Sequence, residues 1–440
     1  MRRQILMPPM TPSMTDGKIS RWHVSEGQSV AAGDLLVEVA TPTATFEIEA
    51  DNEGHVERIL VPAGTEGVKV NTPIAILLGV ATGEGRSPAL GFASFEPLRR
   101  DGPRGSARAP AARPAAQGQT YREALRDALA AEMRADPSVF VIGVDVAQNR
   151  GAPKVTQGLV DAFGPERVVS VPSLDEALFG MAVGAAFAGL KPVVQLDAWG
   201  RSLETLAPAL ISAAQTFYLS GGRLPVPITL RGPNGFVPGM TGEGARCVAA
   251  ALARIPGLKV AQPATASAAR ALLSAAIRDP GPVAVLEHEL LYTTSESVDP
   301  ADDCSLGVAR IVRAGADVTL AAAGHAAVSA LMAAHALALD GIEAEVVDLM
   351  CVAPLDREAI AASVARTGRL VTVEDGTGDL GVGAEIVAFI AAEHFGALKC
   401  APVRVTGARV PMPYAAALQG LAVPNAEQIA RVVCDVVRGR

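Results

Sequence analysis

The feature that most constrains the fold is a regular alternation of strand-like and helix-like apolar segments from Thr120 onward. Thr120 predicts the start of a helix over 121–134, with Glu123 as its reciprocal capping partner, because this spacing satisfies two free N–H groups. The apolar face of this helix consists of Leu125, Leu129 and Met133. Apolar strands that alternate with helices are typical of α/β domains with a mostly parallel, buried sheet.

The alternation predicts two such α/β units. In the first unit, strands are predicted at 139–143, 191–196 and 226–230, and helices at 177–188 and 266–278. The second unit begins near Gly307, with strands predicted at 317–322, 343–348 and 369–374.

The N-terminal part contains an internal repeat. Glu26, Gly27 and Val30 recur 40 residues later as Glu66, Gly67 and Val70. Such a repeat predicts a flattened β-barrel made of two similar four-strand halves.

A segment of different composition separates the barrel from the α/β units. Between 81 and 118 the hydrophobic alternation stops, and Ala, Pro, Gly and Arg dominate, which predicts a semi-extended linker. A solvated tether is favoured over a binding patch for an acidic partner, because no apolar residues interleave with its arginines. We therefore predict a barrel at 1–80, a linker at 81–118, and α/β domains at 119–305 and 306–440.

Composition excludes several classes of protein. The formal net charge of −8 argues against nucleic acid as a partner. The sequence has no apolar run of the ~18 residues that a membrane span needs, and its N-terminus does not resemble a signal peptide. A cytoplasmic location is the resulting prediction. The five cysteines include no C-x-x-C pair, so reduced thiols are expected instead of a disulfide framework or a zinc site.

Residues 5–78 resemble lipoyl domains. The resemblance rests on the opening Met7–Ile19 and on the turn residues Glu26, Gly27, Gly33 and Asp34. Family members carry their lipoyl group on a lysine at a hairpin tip, but this sequence has Thr43 there, after Pro42. A threonine hydroxyl cannot form the required amide, and proline fixes φ and removes a donor. We therefore predict no lipoylation.

Residues 119–436 resemble the β subunit of the E1 component of 2-oxo acid dehydrogenase complexes, closest to the pyruvate dehydrogenase type. Matching segments include 180–186, 218–222, 225–228, 231–235, 256–260, 381–385 and 411–414. The resemblance implies transketolase-like pyrimidine-binding and C-terminal domains. It also implies thiamine diphosphate shared with an α subunit in an α2β2 assembly, Mg²⁺ held by the α subunit, and an E2 acyltransferase core as a further partner.

The resemblance also implies which residues form the pyrimidine half of the site. A glutamate in the family hydrogen-bonds the cofactor ring, and such proton transfer needs a carboxyl group with a suitable pKa. Its position falls on Asp175, which is one methylene shorter, and Glu176 could serve if the loop 171–176 shifts. The other positions assigned to cofactor binding are Ser173, Arg201, Glu204 and Gly244.

Several polar positions of the family are altered. Arg201 replaces an aromatic residue, Gly244 a histidine, Met350 an arginine and Arg409 an aspartate. These changes, with Asp175, leave three hypotheses open. The chain is a working β subunit, or a catalytically weak or silent paralogue that serves as a scaffold or regulator, or a thiamine-dependent acyl transferase with another acceptor.

Two further predictions concern metals. The resemblance implies a potassium site formed by Ile228, Ala276, Ile277 and Asp279, which would stabilise the fold and the subunit interface. The six histidines have no zinc-binding spacing. His288, which lies between two glutamates, is predicted to be a hydrogen-bonded structural histidine.

Overall fold

The computed structural model describes most of the chain outside the predicted linker. The described residues are 2–7, 16–31, 34–41, 44–50, 53–70, 72–79, 118–147, 154–172, 175–237, 240, 242–298 and 304–439. Thr43, Pro42, Ser173 and the segment 81–117 lie outside them.

Among its described residues, the N-terminal unit has eight strands, which form a β-barrel. These are β1 Arg2–Leu6, β2 Asp16–Trp22, β3 Ser29–Val30, β4 Leu35–Thr41, β5 Ala44–Glu49, β6 Gly54–Ile59, β7 Val68–Lys69 and β8 Pro73–Gly79. They form two antiparallel four-stranded sheets, in the orders β1-β8-β6-β3 and β5-β4-β2-β7. The predicted barrel of two four-strand halves is confirmed. Ile19, Leu36, Val37 and Ile74 are fully or almost fully buried in its core.

The first α/β unit begins with the predicted capped helix. Its elements are β9 Gln119–Thr120, α1 Tyr121–Ala135, β10 Val139–Gly143, α2 Leu159–Phe163, β11 Val168–Ser170, α3 Asp175–Phe187, β12 Lys191–Gln195, α4 Trp199–Leu219, β13 Thr229–Pro233, α5 Ala249–Ala253, β14 Lys259–Ala261, α6 Ala266–Arg278, β15 Val283–Glu287 and β16 Ser295–Glu296. The capping box of Thr120 and Glu123 is present, and α6 has the predicted bounds. Six strands form a parallel sheet in the order β11-β10-β12-β13-β15-β14.

The second α/β unit follows. Its elements are β17 Arg310–Arg313, β18 Val318–Ala322, α7 His325–Leu339, β19 Ala344–Asp348, β20 Cys351–Ala353, α8 Arg357–Thr367, β21 Leu370–Thr377, α9 Val382–Glu393, β22 Val403–Gly407, α10 Ala416–Ala422 and α11 Ala426–Arg438. The sheet order is β17-β19-β18-β21-β22, and β17 is antiparallel to its neighbour. The remaining strand, β20, pairs antiparallel with β14 and extends the first sheet to seven strands. The two units therefore share a sheet and form one continuous body.

One predicted strand is displaced. The sequence placed a strand at 226–230, whereas β13 covers Thr229–Pro233. The N–H of Ile228 donates to the carbonyl of Val226 at 2.8 Å, which ends the extended run before Thr229. The strand instead continues through Arg231, which is fully buried. Its charge can be buried because its Nε donates to Glu287 Oε1 at 2.6 Å. A prediction from hydropathy ends the strand at such a charged residue. In the structure the ion pair with Glu287 lets the strand include Arg231.

Two composition-based expectations can be compared with the fold. Within the described part of the chain, no helix combines the length and apolarity that crossing a membrane requires. All five cysteines are free, and Cys304 and Cys351 are buried.

Candidate functional site

Parallel topology brings the predicted cofactor residues of the first unit to one edge of the sheet. Helices α3 and α4 follow the parallel strands β11 and β12, which flank β10 on its two sides. The carboxyl ends of parallel strands lie at the same edge, where α/β proteins bind ligands. Helix α3 begins at Asp175. The side chains of Asp175 and Glu176 fall outside the described residues, as does Ser173.

The first two turns of α4 contribute two charged side chains at this edge, Arg201 and Glu204. Nη2 of Arg201 donates to Oδ2 of Asp197 at 2.7 Å, and both side chains are more than half exposed, at 53% and 59%. Glu204 accepts a hydrogen bond from Nη1 of Arg246 at 2.9 Å. Exposed pairs of this kind contribute little to stability, so these charges are available to a ligand or a partner.

Small residues let a short turn approach α4. The 3₁₀ turn Gly242–Ala245 packs so closely on this helix that a Cβ atom on Gly200 would overlap the carbonyl oxygen of Glu243. A Cβ atom on Gly244 would lie 2.8 Å from Sδ of Met240 and 3.9 Å from Nε of Arg201. The structure thus brings Arg201, Glu204 and Gly244 together. We call these residues, with Asp197 and Arg246, the cofactor face.

The predicted potassium residues lie at the opposite edge of the same sheet. Ile228 directly precedes β13, and its carbonyl accepts a hydrogen bond from the N–H of Val283, the first residue of β15. The carbonyl of Ala276 accepts from the N–H of Asp279 at 3.3 Å at the end of α6, where Ile277 is buried. The Asp279 carboxylate pairs with the Lys259 ammonium and accepts from the N–H of Gly281.

The other altered family positions have different surroundings. Met350 is buried, with a φ of 55°, and its N–H donates to Oδ1 of Asp348 at 3.0 Å. Arg409 is exposed and pairs with Asp379 at 2.9 Å.

A buried cluster that the sequence did not predict lies between the two α/β units. It consists of His288, His325 and Asp375, which we call the histidine cluster, and their potential ligand atoms lie within 4.8 Å of one another. The imidazole rings of His288 and His325 stack with centroids 4.5 Å apart. Nδ1 of His325 lies 3.2 Å from Oδ1 of Asp375. The ring of Phe236 packs in a T-shaped arrangement against both imidazole rings, with centroids 6.2 Å from His288 and 6.4 Å from His325.

The structure bears out the hydrogen bonding predicted for His288 at only one of its two ring nitrogens. Its Nδ1 accepts the N–H of Leu290 at 3.3 Å, but its buried Nε2 has no hydrogen-bond partner among the described residues. Burial, with the neighbouring His325, lowers the pKa of His288 to about 3, so this ring is neutral at neutral pH. Burial acts to raise the pKa of Asp375, but the two histidines outweigh that effect and hold this pKa below its usual value.

No local motif marks the histidine cluster in the sequence. Each member follows or ends a different parallel strand: His288 follows β15, His325 begins the helix after β18, and Asp375 lies in the last part of β21. Sequence spacing cannot reveal that three strand ends from two sheets meet.

A pocket of about 330 Å³ lies beside the histidine cluster and is lined by Cys247, Gln262, Glu374 and Asp375, among others. Burial raises the pKa of Glu374 to about 7, although the carboxylate accepts the N–H groups of Val382 and Gly383 at the start of α9. Burial also raises the pKa of Cys247 to about 11. This thiol therefore stays protonated at neutral pH, and it lacks the character of a nucleophile.

Comparisons with known proteins agree with this architecture. Three family models match: biotin-requiring enzyme at 3–77, transketolase pyrimidine binding domain at 117–294, and transketolase C-terminal domain at 307–429. Among solved structures, a split gene transketolase described as an inactive β4 tetramer superposes with a TM-score of 0.58 at 22% identity, covering 73% of this chain and 99% of that one. The fold and the site thus define a transketolase-like protein with an N-terminal domain of the biotin or lipoyl type.

Sequence similarity defines the family further. The chain is 42% identical to the pyruvate dehydrogenase E1 component subunit beta of Rhizobium meliloti, over 98% of each chain. It is 47% identical to the mitochondrial subunit beta-1 of Arabidopsis thaliana, over 69% of this chain and 85% of the relative. The chain belongs to the β subunits of the pyruvate dehydrogenase E1 component, a family of thiamine diphosphate-dependent enzymes. Similarity over the full length does not favour the alternatives of a silent paralogue or another acyl transferase.

Proposed function

We propose that this chain forms the β half of an α2β2 pyruvate dehydrogenase E1 component and holds the pyrimidine half of thiamine diphosphate at the cofactor face. The observation that carries the proposal is the grouping of Arg201, Glu204 and Gly244 at the same edge of the sheet as the start of α3, with the Arg201 and Glu204 side chains exposed. Exposed charges beside a close backbone approach suit a site that a second surface completes. An α subunit would supply that surface together with the Mg²⁺ site.

The residues of this chain would bind and orient the cofactor. Bound thiamine diphosphate supplies the electron sink for the loss of carbon dioxide from a 2-oxo acid. We assign to Asp175 the carboxyl group that holds and moves a proton at the pyrimidine ring, or to Glu176 if the preceding loop shifts. The planar guanidinium of Arg201 can stack on a flat ring. Ser173, Glu204 and Gly244 complete the proposed binding face.

The remaining family properties are also proposals for this chain. Backbone carbonyl oxygens of Ile228, Ala276 and Ile277 suit K⁺, which proteins coordinate through such oxygens. Because Lys259 already pairs with the carboxylate of Asp279, the carbonyl groups would carry the coordination. An E2 acyltransferase core would receive the acyl group, and the cytoplasm is the proposed location.

The barrel is proposed to act without a lipoyl group. Lys18 lies within β2 and donates to Glu66 at 2.7 Å, and Lys69 lies within β7. Neither position suits the hairpin-tip attachment of lipoyl domains. Intact-mass measurement after co-expression with a lipoyl ligase should therefore show the unmodified mass, whereas a lipoyl increment mapping to residues 1–80 would refute this part of the proposal.

Reconstitution tests the main proposal. The chain should be co-expressed with an α subunit that carries an intact Gly-Asp-Gly motif, and pyruvate-dependent reduction of an artificial electron acceptor should be measured. We expect turnover by the mixture and none by either chain alone. A stable assembly that binds the cofactor but does not turn over would instead support the silent-paralogue alternative.

A further inference from the structure

We propose that His288, His325 and Asp375 bind a divalent transition-metal cation of the zinc class at the boundary between the two α/β units. The inference does not depend on the proposed function. One ligand comes from the first unit, directly after β15, and two come from the second unit, at the start of α7 and near the end of β21. A bound cation would therefore link the two units.

The donor set matches the chemistry of such a cation. Imidazole nitrogens suit zinc, copper, iron and nickel, and a carboxylate oxygen completes many zinc sites. Mg²⁺ prefers an octahedral shell of oxygen atoms. The proposed site is thus chemically distinct from the Mg²⁺ site that the α subunit would supply.

The distances place the three groups within reach of one cation. Their potential ligand atoms lie within 4.8 Å of one another. Zinc bonds to nitrogen and oxygen of roughly 2.0–2.2 Å put the ligand atoms of a tetrahedral site ~3.4 Å apart. The stacked imidazole rings must rotate to direct both lone pairs at one point, so binding requires side-chain rotation that brings the ligand atoms ~1 Å closer.

Two buried atoms of the cluster point to an occupant. Within the described part of the chain, Nε2 of His288 and Oδ2 of Asp375 are buried without a hydrogen-bond partner. Leaving a buried polar atom unpaired costs ~1–3 kcal/mol, and a cation held by both atoms would remove that penalty. The side chain of Asp375 is only 2% exposed, and the whole His288 residue 3%.

Binding requires one rearrangement of the His288 ring. A histidine ligand must be neutral and direct a ring-nitrogen lone pair at the cation. Because Nδ1 of His288 accepts the N–H of Leu290, the proton of the neutral ring is assigned to Nε2. Coordination through Nε2 moves this proton to Nδ1 and gives up that 3.3 Å hydrogen bond, with no net proton release.

A cobalt titration of the full-length chain tests the proposal. We expect one Co²⁺ per chain with visible d–d absorption, displacement by Zn²⁺, and no displacement by excess Mg²⁺. Since the ligands come from both sides of the domain boundary, Zn²⁺ at about a hundredfold excess over its dissociation constant should raise the melting temperature by roughly 5 °C.

Near-isosteric variants assign the site. His288→Asn, His325→Gln and Asp375→Asn should each weaken Co²⁺ binding at least ~100-fold, because each removes a ligand. His335→Gln, which changes an exposed histidine of the same helix α7, is the matched control and should bind like the unaltered chain. Absence of Co²⁺ binding by the unaltered chain would overturn the proposal, even if every variant failed to fold. Equal binding by all three ligand variants would also overturn it.

Discussion

The cofactor face and the histidine cluster use polar residues in opposite ways. At the cofactor face, Arg201 and Glu204 are exposed, and each is paired with a neighbouring side chain. In the histidine cluster, His288 and Asp375 are buried, and each retains a buried atom without a hydrogen-bond partner in the described structure. Exposed, satisfied charges suit a surface that another chain covers. Buried, unsatisfied atoms indicate a site that this chain can complete with a small occupant.

The same contrast appears in two ion pairs of the first unit. Arg231 and Glu287 are fully buried, and Gln195 and Tyr292 contribute further hydrogen bonds to the pair. The pair of Arg246 and Glu204 is exposed. Burial therefore separates residues that hold the first unit together from residues that remain available for function.

Removing the carboxylate of Asp175 should give the largest effect. Asp175→Ala is expected to lower pyruvate turnover of the α2β2 assembly on the order of a thousandfold, within the range of positioned acid-base groups. Glu176→Ala is the matched control and should retain most activity. The reverse pattern would move the role to Glu176 and show that the loop before α3 has shifted.

Restoring the residues that the family has at positions 175 and 201 should increase activity. Asp175→Glu combined with Arg201→Phe is expected to raise the turnover rate up to ~100-fold, because a shift of about 1 Å in a catalytic group has effects of that size. The combined change also removes the arginine that pairs with Asp197. The rate should be measured with the same α subunit and acceptor. An unchanged rate would mean that the site already suits aspartate.

Breaking the buried ion pair should destabilise the chain by about 3–5 kcal/mol. Arg231→Met leaves the Glu287 carboxylate buried without its partner cation, which is the costly case for buried pairs. Arg246→Met breaks the exposed pair and should cost at most ~1 kcal/mol. Urea unfolding followed by tryptophan fluorescence can compare the two, since Trp199 is buried in the same unit. Equal losses would contradict the contrast between the two pairs.

Asp348 should make the stability of the chain depend on pH. Burial raises its pKa to about 7, so the folded chain binds the proton more tightly than the unfolded chain. The contribution of the protonated Asp348 to stability is therefore complete below pH ~4. It is lost as the pH rises to 7, and the free energy of unfolding falls by at most about 1.4 kcal/mol per pH unit. Asp348→Asn removes this dependence and can keep the hydrogen bond from Met350 N–H.

The stability difference between Asp348→Asn and the unaltered chain should be measured from pH 4 to 8. It should increase in favour of the variant up to pH 7 and then level off. Glu374, which also has a raised pKa, is present in both proteins and cancels in the difference. A difference that does not change with pH would show that Asp348 is not destabilising when ionised.

Local features of the fold could be predicted because local physics determines them. Thr120 and Glu123 cap α1 as predicted. The repeated turn residues of the barrel precede β3 and β7, one strand in each of the two four-stranded sheets. The strand at β13 was misplaced because the burial of Arg231 depends on Glu287, which lies on another strand.

One functional site could be predicted from the sequence and the other could not, because only the second depends on contacts between distant strands. Resemblance identified Arg201, Glu204 and Gly244, and the fold brings them together. The histidine cluster joins strand ends from two sheets, and β20 crosses from one unit to the other sheet. Contacts of this range depend on the tertiary arrangement, which the spacing of histidines in the sequence does not encode.

Calorimetric titration with thiamine diphosphate and Mg²⁺ tests the central claim most directly, because that claim is that the cofactor face is half of a shared site. The chain alone, the α subunit alone and their mixture should be titrated under the same conditions. We predict tight binding by the mixture and none by this chain alone. Binding by the isolated chain with the same dissociation constant as the mixture would contradict the claim.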